Sequence, residues 1–380
     1  FFLFSEMGDQ YFKAYEDIEI QRLMLDDKPR TESYKKAIFG AKNKIEGKVV
    51  LDVGTGTGIL SIFCAKAGAK KVYAVEASNM AKLAKDVVKE NDLDDRIEVH
   101  HCLVQDLNLP EKVDVIVSEW MGYFLFHEGM LSAVIEARDK FLKDDGFLIP
   151  ESADLWIAPC KLPRFFDYWT DVYGIKMNTL GKYQRENQKE PVVTDVDKQD
   201  LIAEPSVVKS VVLKTITNKE LKEFRYKTLV PSEIDGKYQG LCMWFVCNFA
   251  LDDDVGDDFV FLDTKPGQPQ THWKQTAIVY PFEITVEKGD PIAFELYFRN
   301  RLDDPRKYAI EVTMLDPEKE EHPTPCHCKM TKCIIIQKYI EERTRKCQEE
   351  GEEGEGEGGG GRLMFEKGKL KFKKPFKPVR

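Results

Sequence analysis

With 380 residues, 42% of them hydrophobic and 11% aromatic, the chain can bury the cores of two globular domains, or of one large domain with a tail. Its net charge of −10 excludes a general attraction to nucleic acid and favours cationic partners. No apolar run reaches bilayer length, FFLF (1–4) is too short for a secretory core, and nine scattered cysteines suit a reducing compartment, nucleus or cytoplasm.

Residues 9–46 carry a helical polar–apolar pattern interrupted at Pro29. KVVLDV (48–53) predicts a buried strand, followed by a glycine loop and a helix from about Gly58. KKVYAVE (70–76) is the next strand, with a helix over 79–90; RIEVHHC (96–102) and VDVIVSEW (113–120) complete the series. This alternation predicts an α/β fold with a parallel sheet covered on both faces. After Pro150 the texture changes to short β-rich runs, SVVLKTIT (210–217), GLCMWFVCNFAL (240–251) and YAIEVTML (308–315), as in an antiparallel barrel or sandwich. FFDYWTDVYGIKMNTL (165–180) interrupts it with an aromatic surface suited to docking. Cys64, Cys102 and Cys242 read as small core residues. Residues 316–380 read mainly as a flexible tail, with an acidic glycine-rich run (349–361) and a terminus of eight basic residues against one acidic.

LDVGTGTG (51–58) places glycines directly after a strand, where they permit a tight turn and close ligand approach. The second strand ends in Glu76, an acceptor suited to a ribose diol. The G-x-G-x-G spacing differs from the dinucleotide pattern and no phosphate-binding G-K-[ST] follows. S-adenosylmethionine therefore fits better than NAD or a nucleoside triphosphate. SEWMGYFLFHEGML (118–131) holds Glu119 and Glu128 around a glycine turn in an apolar setting. A guanidinium keeps its proton, with a pKa above about 12, so its nitrogens are poor nucleophiles. Two carboxylates can grip that planar fork, bias its charge and aim one nitrogen at a methyl donor.

SEWMGY with its second glutamate resembles the double-glutamate loop of protein arginine methyltransferases. THWKQT (271–276) resembles the family's Thr-His-Trp loop, VLDVGTGTGILS (50–61) its cofactor motif, YFKAY (11–15) and DDKPR (26–30) its N-terminal helices, and DYWTDVYG (167–174) its dimerisation arm. LPEKVDVIVSEWMG resembles the vertebrate type that carries an SH3 domain, although no SH3 domain is present here.

The resemblance implies N-terminal helices over the cofactor (1–47), a Rossmann-like S-adenosylmethionine domain (48–150), an antiparallel β-barrel substrate domain (151–315) with a dimerisation arm at about 160–190, and the tail (316–380). It further implies that Glu119 and Glu128 bind the substrate guanidinium, beside Met121 and Trp273. Arg30 pairs with the cofactor carboxylate, Asp52, Gly54, Gly56 and Gly58 border the cofactor, and Glu76 with Ala77 holds the ribose. Phe12 covers the cofactor and Tyr15 bonds near the glutamates. His272 and Asp27 form an organising pair. Met24 and Met130 line the arginine pocket, as in members that make asymmetric dimethylarginine; the product is S-adenosylhomocysteine. Implied partners are Gly-Arg-rich proteins or histone tails and a second copy of the chain; no membrane is implied.

Two positions depart from the family pattern. Gln21 stands where many relatives have His, and Gln105 stands at an acidic adenine-binding position, where its amide oxygen can accept from the adenine amino group. These keep open a second reading, a coregulator scaffold that methylates poorly. CHCKMTKC (326–333) has a poor zinc spacing, with only distant Cys347 to complete it, so thiols in a mobile tail are expected and no metal. DDDVGDD (252–258) reads as a solvated loop that can steer basic substrates. The basic terminus reads as a solvated tail, with transient contact to nucleic acid or acidic proteins as the alternative.

Overall fold

The computed structural model describes residues 12–249, 260–352, 364–366 and 369–371, with side chains through residue 345. The acidic loop 252–258, most of the glycine-rich run and most of the basic terminus lie outside these residues. The chain forms two compact units, Phe1–His322 and Pro323–Arg380.

After a helical turn at 12–14, the first unit continues with the helices α1 (Ile18–Asp26), α2 (Lys28–Gly40) and α3 (Lys42–Ile45). The break expected at Pro29 falls at Asp27. Asp27 ends α1 and caps α2, its carboxylate accepting the Arg30 backbone N–H at 3.0 Å. Pro29 lies in the first turn of α2, where its missing N–H is no loss.

Then follow β1 (Val49–Val53), α4 (Ile59–Lys66), β2 (Lys71–Glu76), α5 (Met80–Glu90), β3 (Ile97–His101), β4 (Val113–Val117), α6 (Leu131–Phe141) and β5 (Leu142–Ile149). The strands form one parallel sheet in the order β3-β2-β1-β4-β5. β1 is buried along its whole length, as a central parallel strand covered on both faces must be. Full burial of Val50 and Leu51 contributes roughly 1.5–3 kcal/mol each. The strand order reverses between β1 and β4, so the crevice at the carboxyl ends of β1, β2 and β4 is a natural ligand position.

The antiparallel part comprises β6 (Ser152–Cys160), α7 (Pro163–Phe166), α8 (Asn178–Asn187), β7 (Val192–Thr194), β8 (Ser206–Val212), α9 (Asn218–Lys222), β9 (Glu223–Pro231), β10 (Gly236–Phe249), β11 (Val260–Asp263), β12 (Gln275–Val286), β13 (Pro291–Asn300) and β14 (Tyr308–Met314). One sheet runs β7-β12-β10-β6-β8 with β11 on β10; the other runs β14-β13-β9. The strand expected over 210–217 stops at Val212. Leu213 and Ile216 are apolar because the following turn buries them, and a Thr217–Glu220 capping box then starts α9. In the arm, α8 presses on Trp169, and Arg185 stacks 4.3 Å from the Phe166 ring. Tyr173 at its tip is 99% exposed. Cys64 and Cys242 are core residues as expected; Cys102 is only half-buried, since it lies just past β3 at the sheet edge.

In the second unit, α10 (Thr331–Glu352) occupies part of what the composition marks as a flexible tail. Its sequence up to residue 350 is free of glycine and proline, which permits the helix. Among the described residues no helix is long and apolar enough to cross a membrane.

Candidate active site

The glycine loop leaves β1 with Gly54, Gly56 and Gly58 at φ +75°, +55° and +86°, where a side chain would be strained. The Gly56 N–H donates to Glu76 Oε2 at 2.9 Å, and Glu76 Oε1 accepts from the Ser78 N–H and hydroxyl at 2.9 and 2.7 Å. Loop and β2 terminus are thereby locked together, with Ala77 half-buried beside them. Asp52 is fully buried on β1. Its Oδ2 accepts the Thr55 and Ser61 hydroxyls, each at 2.7 Å, while Oδ1 has no partner. Burial pushes this carboxyl up to about 6 against the opposing pull of those hydroxyls.

Two residues lie over the glycines. A Cβ on Gly54 would come within 2.2 Å of Met130 Cε, and one on Gly56 within 3.2 Å of Gln21 Oε1. Gln21 is buried and donates from Nε2 to the Tyr15 carbonyl at 2.8 Å. At this position the amide ties α1 to the Tyr15 backbone and lies against the glycine loop.

The double-glutamate loop follows β4. The Tyr34 hydroxyl donates to the Ser118 carbonyl at 2.9 Å, and the Ser118 hydroxyl donates to the Val53 carbonyl at 2.8 Å. These bonds fix the residue before Glu119. Arg30 then donates from Nε and Nη2 to Glu119 Oε2, both at 2.9 Å, and from Nη1 to the Met24 carbonyl at 2.9 Å. Glu119 Oε1 is buried with no hydrogen-bond partner. Around the turn, Phe124, Leu125 and Glu128 have φ +41°, +71° and +76°. Such backbone costs of order 1–3 kcal/mol per residue and persists where surrounding structure imposes it. It aims Glu128 toward Tyr15, whose hydroxyl donates to Glu128 Oε2.

The loop after β11 completes the enclosure. Asp27 Oδ2 accepts the His272 backbone N–H at 2.8 Å and lies 2.6 Å from His272 Nδ1. Burial raises the Asp27 pKa, but the His272 bonds and the Arg30 N–H outweigh it and hold the carboxyl below its ordinary value. Trp273 is buried and donates from Nε1 to the Met121 carbonyl at 2.9 Å.

Most residues singled out in the sequence thus converge on the crevice. Gln105 is exposed on the turn after β3 and donates from Nε2 to Glu136 Oε2 at 2.5 Å, a bond that leaves its amide oxygen, the expected adenine acceptor, uncommitted to Glu136. Two contributors carried no recognisable signal, Tyr34 and Arg306, and Ser118 was visible only as the first residue of the SEWMGY motif. Arg306 Nη1 donates to the Glu128 carbonyl at 3.2 Å, and its guanidinium lies 5.2 Å from the Phe12 ring. Where the CHCKMTKC spacing led to an expectation of no metal, the fold brings His322 to Cys326, Cys328 and Cys333 in one group of side chains that could ligate an ion. The CHCKMTKC window hid the fourth donor upstream.

Buried acceptors beside unfilled glycine positions suit a cofactor with a ribose and a cationic centre. A half-satisfied buried carboxylate on the loop that also carries Glu128 suits a cation such as guanidinium. Residues 151–314 match the family described as arginine methyltransferase oligomerization subdomain, and residues 39–149 match that described as ribosomal protein L11 methyltransferase. A probable protein arginine N-methyltransferase 6.1 of Oryza sativa subsp. japonica is 39% identical over 328 residues, covering 80% of this chain and 84% of its own. The crystal structure of Arabidopsis thaliana protein arginine methyltransferase 10, in an open conformation, superposes with a TM-score of 0.72 at 36% identity, covering 80% of this chain and 94% of that one. A Trypanosoma brucei enzyme–prozyme complex with AdoHcy gives 0.71 at 31% identity, covering 82% and 98%.

Proposed function

Since this chain belongs to the protein arginine N-methyltransferase family and is an S-adenosylmethionine-dependent enzyme, we propose that it makes monomethylarginine and asymmetric dimethylarginine, with Glu119 and Glu128 gripping the substrate guanidinium. The observation that carries this reading is Glu119 Oε1, a buried carboxylate oxygen without a partner on the double-glutamate loop. A substrate N–H supplies the missing bond.

The cofactor, when bound, supplies an electrophilic methyl group on a sulfonium. Gly54, Gly56, Gly58, Asp52 and Glu76 are the residues to hold it, with Met130 and Gln21 over the loop. Arg30, now on Glu119, is also the cation available to its carboxylate. Phe12, packed against Arg306, and Ala77, next to Glu76, are the residues that the family resemblance assigns to the flanks of the crevice. The two glutamates draw positive charge toward themselves, which leaves electron density on the guanidinium nitrogen facing the donor. Buried Trp120, Met121 and Phe124 keep the dielectric low and strengthen that pull. Tyr15 orients Glu128, and the proton shed by the methylated nitrogen is taken up at the Glu128 carboxylate. His272, committed through Nδ1 to Asp27, holds the two segments together.

Met24, whose carbonyl accepts from Arg30, and Met130, whose methyl lies over Gly54, are the two methionines that the family resemblance assigns to the arginine pocket, and their presence supports the asymmetric product. The exposed arm, with Tyr168, Tyr173 and Tyr183 at its surface, supports a homodimer through residues 160–190. The negative charge favours Gly-Arg-rich proteins or basic histone tails as substrates. Reduced, buried Cys64, Cys160, Cys242 and Cys247 support residence in the nucleus or cytoplasm.

The test is a mass spectrum of a Gly-Arg-rich peptide incubated with the protein and S-adenosylmethionine, with an Arg→Lys peptide as control. One and two methyl additions that require arginine, with the asymmetric fragmentation signature, are expected. A symmetric signature, or no addition by a chain that binds the cofactor, overturns the proposed reaction. Sedimentation of the chain as a monomer at micromolar concentration overturns the dimer.

A further inference from the structure

Away from this site, the described residues contain one dense group of metal-ligating side chains. Ligand atoms of His322, Cys326, Cys328 and Cys333 all lie within 4.8 Å of one another, and the three cysteines are buried. The four come from one continuous segment, residues 322–333, in a His-x3-Cys-x-Cys-x4-Cys arrangement.

The surroundings make this cluster unusual. Among residues 323–345 the three cysteines are the only buried side chains, while Ile334, Ile335, Ile336 and Tyr339 are exposed. The segment therefore turns inward on its sulfur atoms and leaves its large apolar groups outside. Apolar burial within this stretch cannot account for that choice. A shared cation can, because each thiolate gains a bond to it and the mutual repulsion of the sulfurs is cancelled.

The histidine is prepared for the same role. Its Nε2 lies 2.9 Å from the Pro317 carbonyl, which can only accept, so Nε2 carries the proton and Nδ1 the lone pair. Backbone support of this kind is what orients metal-bound imidazoles. His327, although it lies between two of the cysteines, is exposed and accepts from Gln337 Nε2 at 2.8 Å.

We propose that residues 322–333 form a structural zinc site, with His322, Cys326, Cys328 and Cys333 as its four ligands. Three sulfurs and one imidazole match the donor preference of Zn²⁺, and four protein ligands leave no open position for catalysis. Tetrahedral Zn–S bonds of about 2.3 Å place ligand atoms about 3.8 Å apart, so loading contracts the widest separation here by about 1 Å. Each bound thiol exchanges its S–H proton for a Zn–S bond, and the released protons go to solvent. Because Cys333 sits in the first turn of α10, the metal ties the preceding loop to the start of that helix.

The experiment uses the full chain, purified without chelator or metal-affinity resin. Elemental analysis is expected to find close to one equivalent of zinc per chain, released by a thiol-reactive mercurial. Cys328→Ser should lose that equivalent. His322→Ala should give up its zinc to a moderate chelator that leaves the parent loaded. Cys347→Ser should keep it. Should the serine variant misfold, Co²⁺ added to the metal-stripped parent is an independent readout, with tetrahedral d–d bands and sulfur-to-cobalt charge transfer expected. Zinc-free protein that also fails to give this cobalt spectrum overturns the proposal. So does an intact mass lower by two hydrogens that locates a disulfide among the three cysteines, or loss of zinc in Cys347→Ser.

Discussion

Two glutamates at one edge of the parallel sheet show opposite treatments of the same functional group. Glu76, closing β2, has both oxygens occupied by Gly56 and Ser78. Glu119, just beyond β4, has one oxygen shared by two Arg30 nitrogens and the other buried without a partner. A satisfied carboxylate shapes the loop around it. An unsatisfied one costs roughly 1–3 kcal/mol or more and holds that deficit for a ligand. Between these two glutamates, incomplete bonding separates the reactive position from the structural one better than acidity does.

The largest expected effect separates the two directly. Glu119→Gln should lower kcat/KM on an arginine peptide by about 10²–10³-fold, roughly 3–4 kcal/mol in the barrier. Glu76→Gln should act mainly through a raised KM for S-adenosylmethionine. Steady-state kinetics with each substrate varied in turn decide this, and equal kcat losses in both variants would break the distinction.

Next in size is the Arg30–Glu119 pair. Arg30→Ala strands a carboxylate whose side chain is only 9% exposed and should destabilise the fold by about 3–5 kcal/mol. Removing both partners should recover much of that loss. Urea denaturation of the single and double variants checks it; a double variant no more stable than Arg30→Ala would refute the coupling.

Asp52 provides a pH test. Its folded pKa is raised to about 6, so the folded protein binds this proton more tightly than the unfolded chain does. Stability attributable to Asp52 therefore falls as pH rises from about 4 to about 6, by about 3 kcal/mol in all. Asp27 has the opposite sign: its depressed pKa gives stability that is present above its unfolded value and lost as pH falls through the folded one. The stability difference between Asp52→Asn and the parent should grow in favour of the variant across pH 4–6. A difference that is flat with pH would count against the assignment.

The smallest effect is expected at Arg306, which supports the second glutamate from β13–β14. Arg306→Ala loses one hydrogen bond to the Glu128 carbonyl and the stack on Phe12, about 1–2 kcal/mol together, read as a roughly 5–30-fold loss in kcat/KM. An effect as large as that of Glu119→Gln would mean Arg306 touches substrate rather than positioning the loop.

Much of this molecule was legible in its residues. Continuous β-branched runs marked β1 and β2, because a parallel strand buried on both faces has no polar side to show. Glycines after β1 and an acid at the end of β2 marked the cofactor crevice, since a tight turn and a ribose acceptor need those residue types at those places. The glutamates and the Thr-His-Trp loop were visible as motifs. What sequence could not reveal is how side chains share partners across long separations. Arg30 shares Glu119, Tyr34 fixes Ser118, Arg306 supports Glu128, and Gln105 turns to Glu136, through contacts whose short-range spacing carries no trace. The zinc ligands lie close in sequence, yet the cysteine spacing alone pointed away from a site. Only the folded segment, by bringing His322 to three buried sulfurs, decided that four donors meet. Local chemistry therefore determined which residues were available, and tertiary packing decided which of their polar atoms were left in need of a partner.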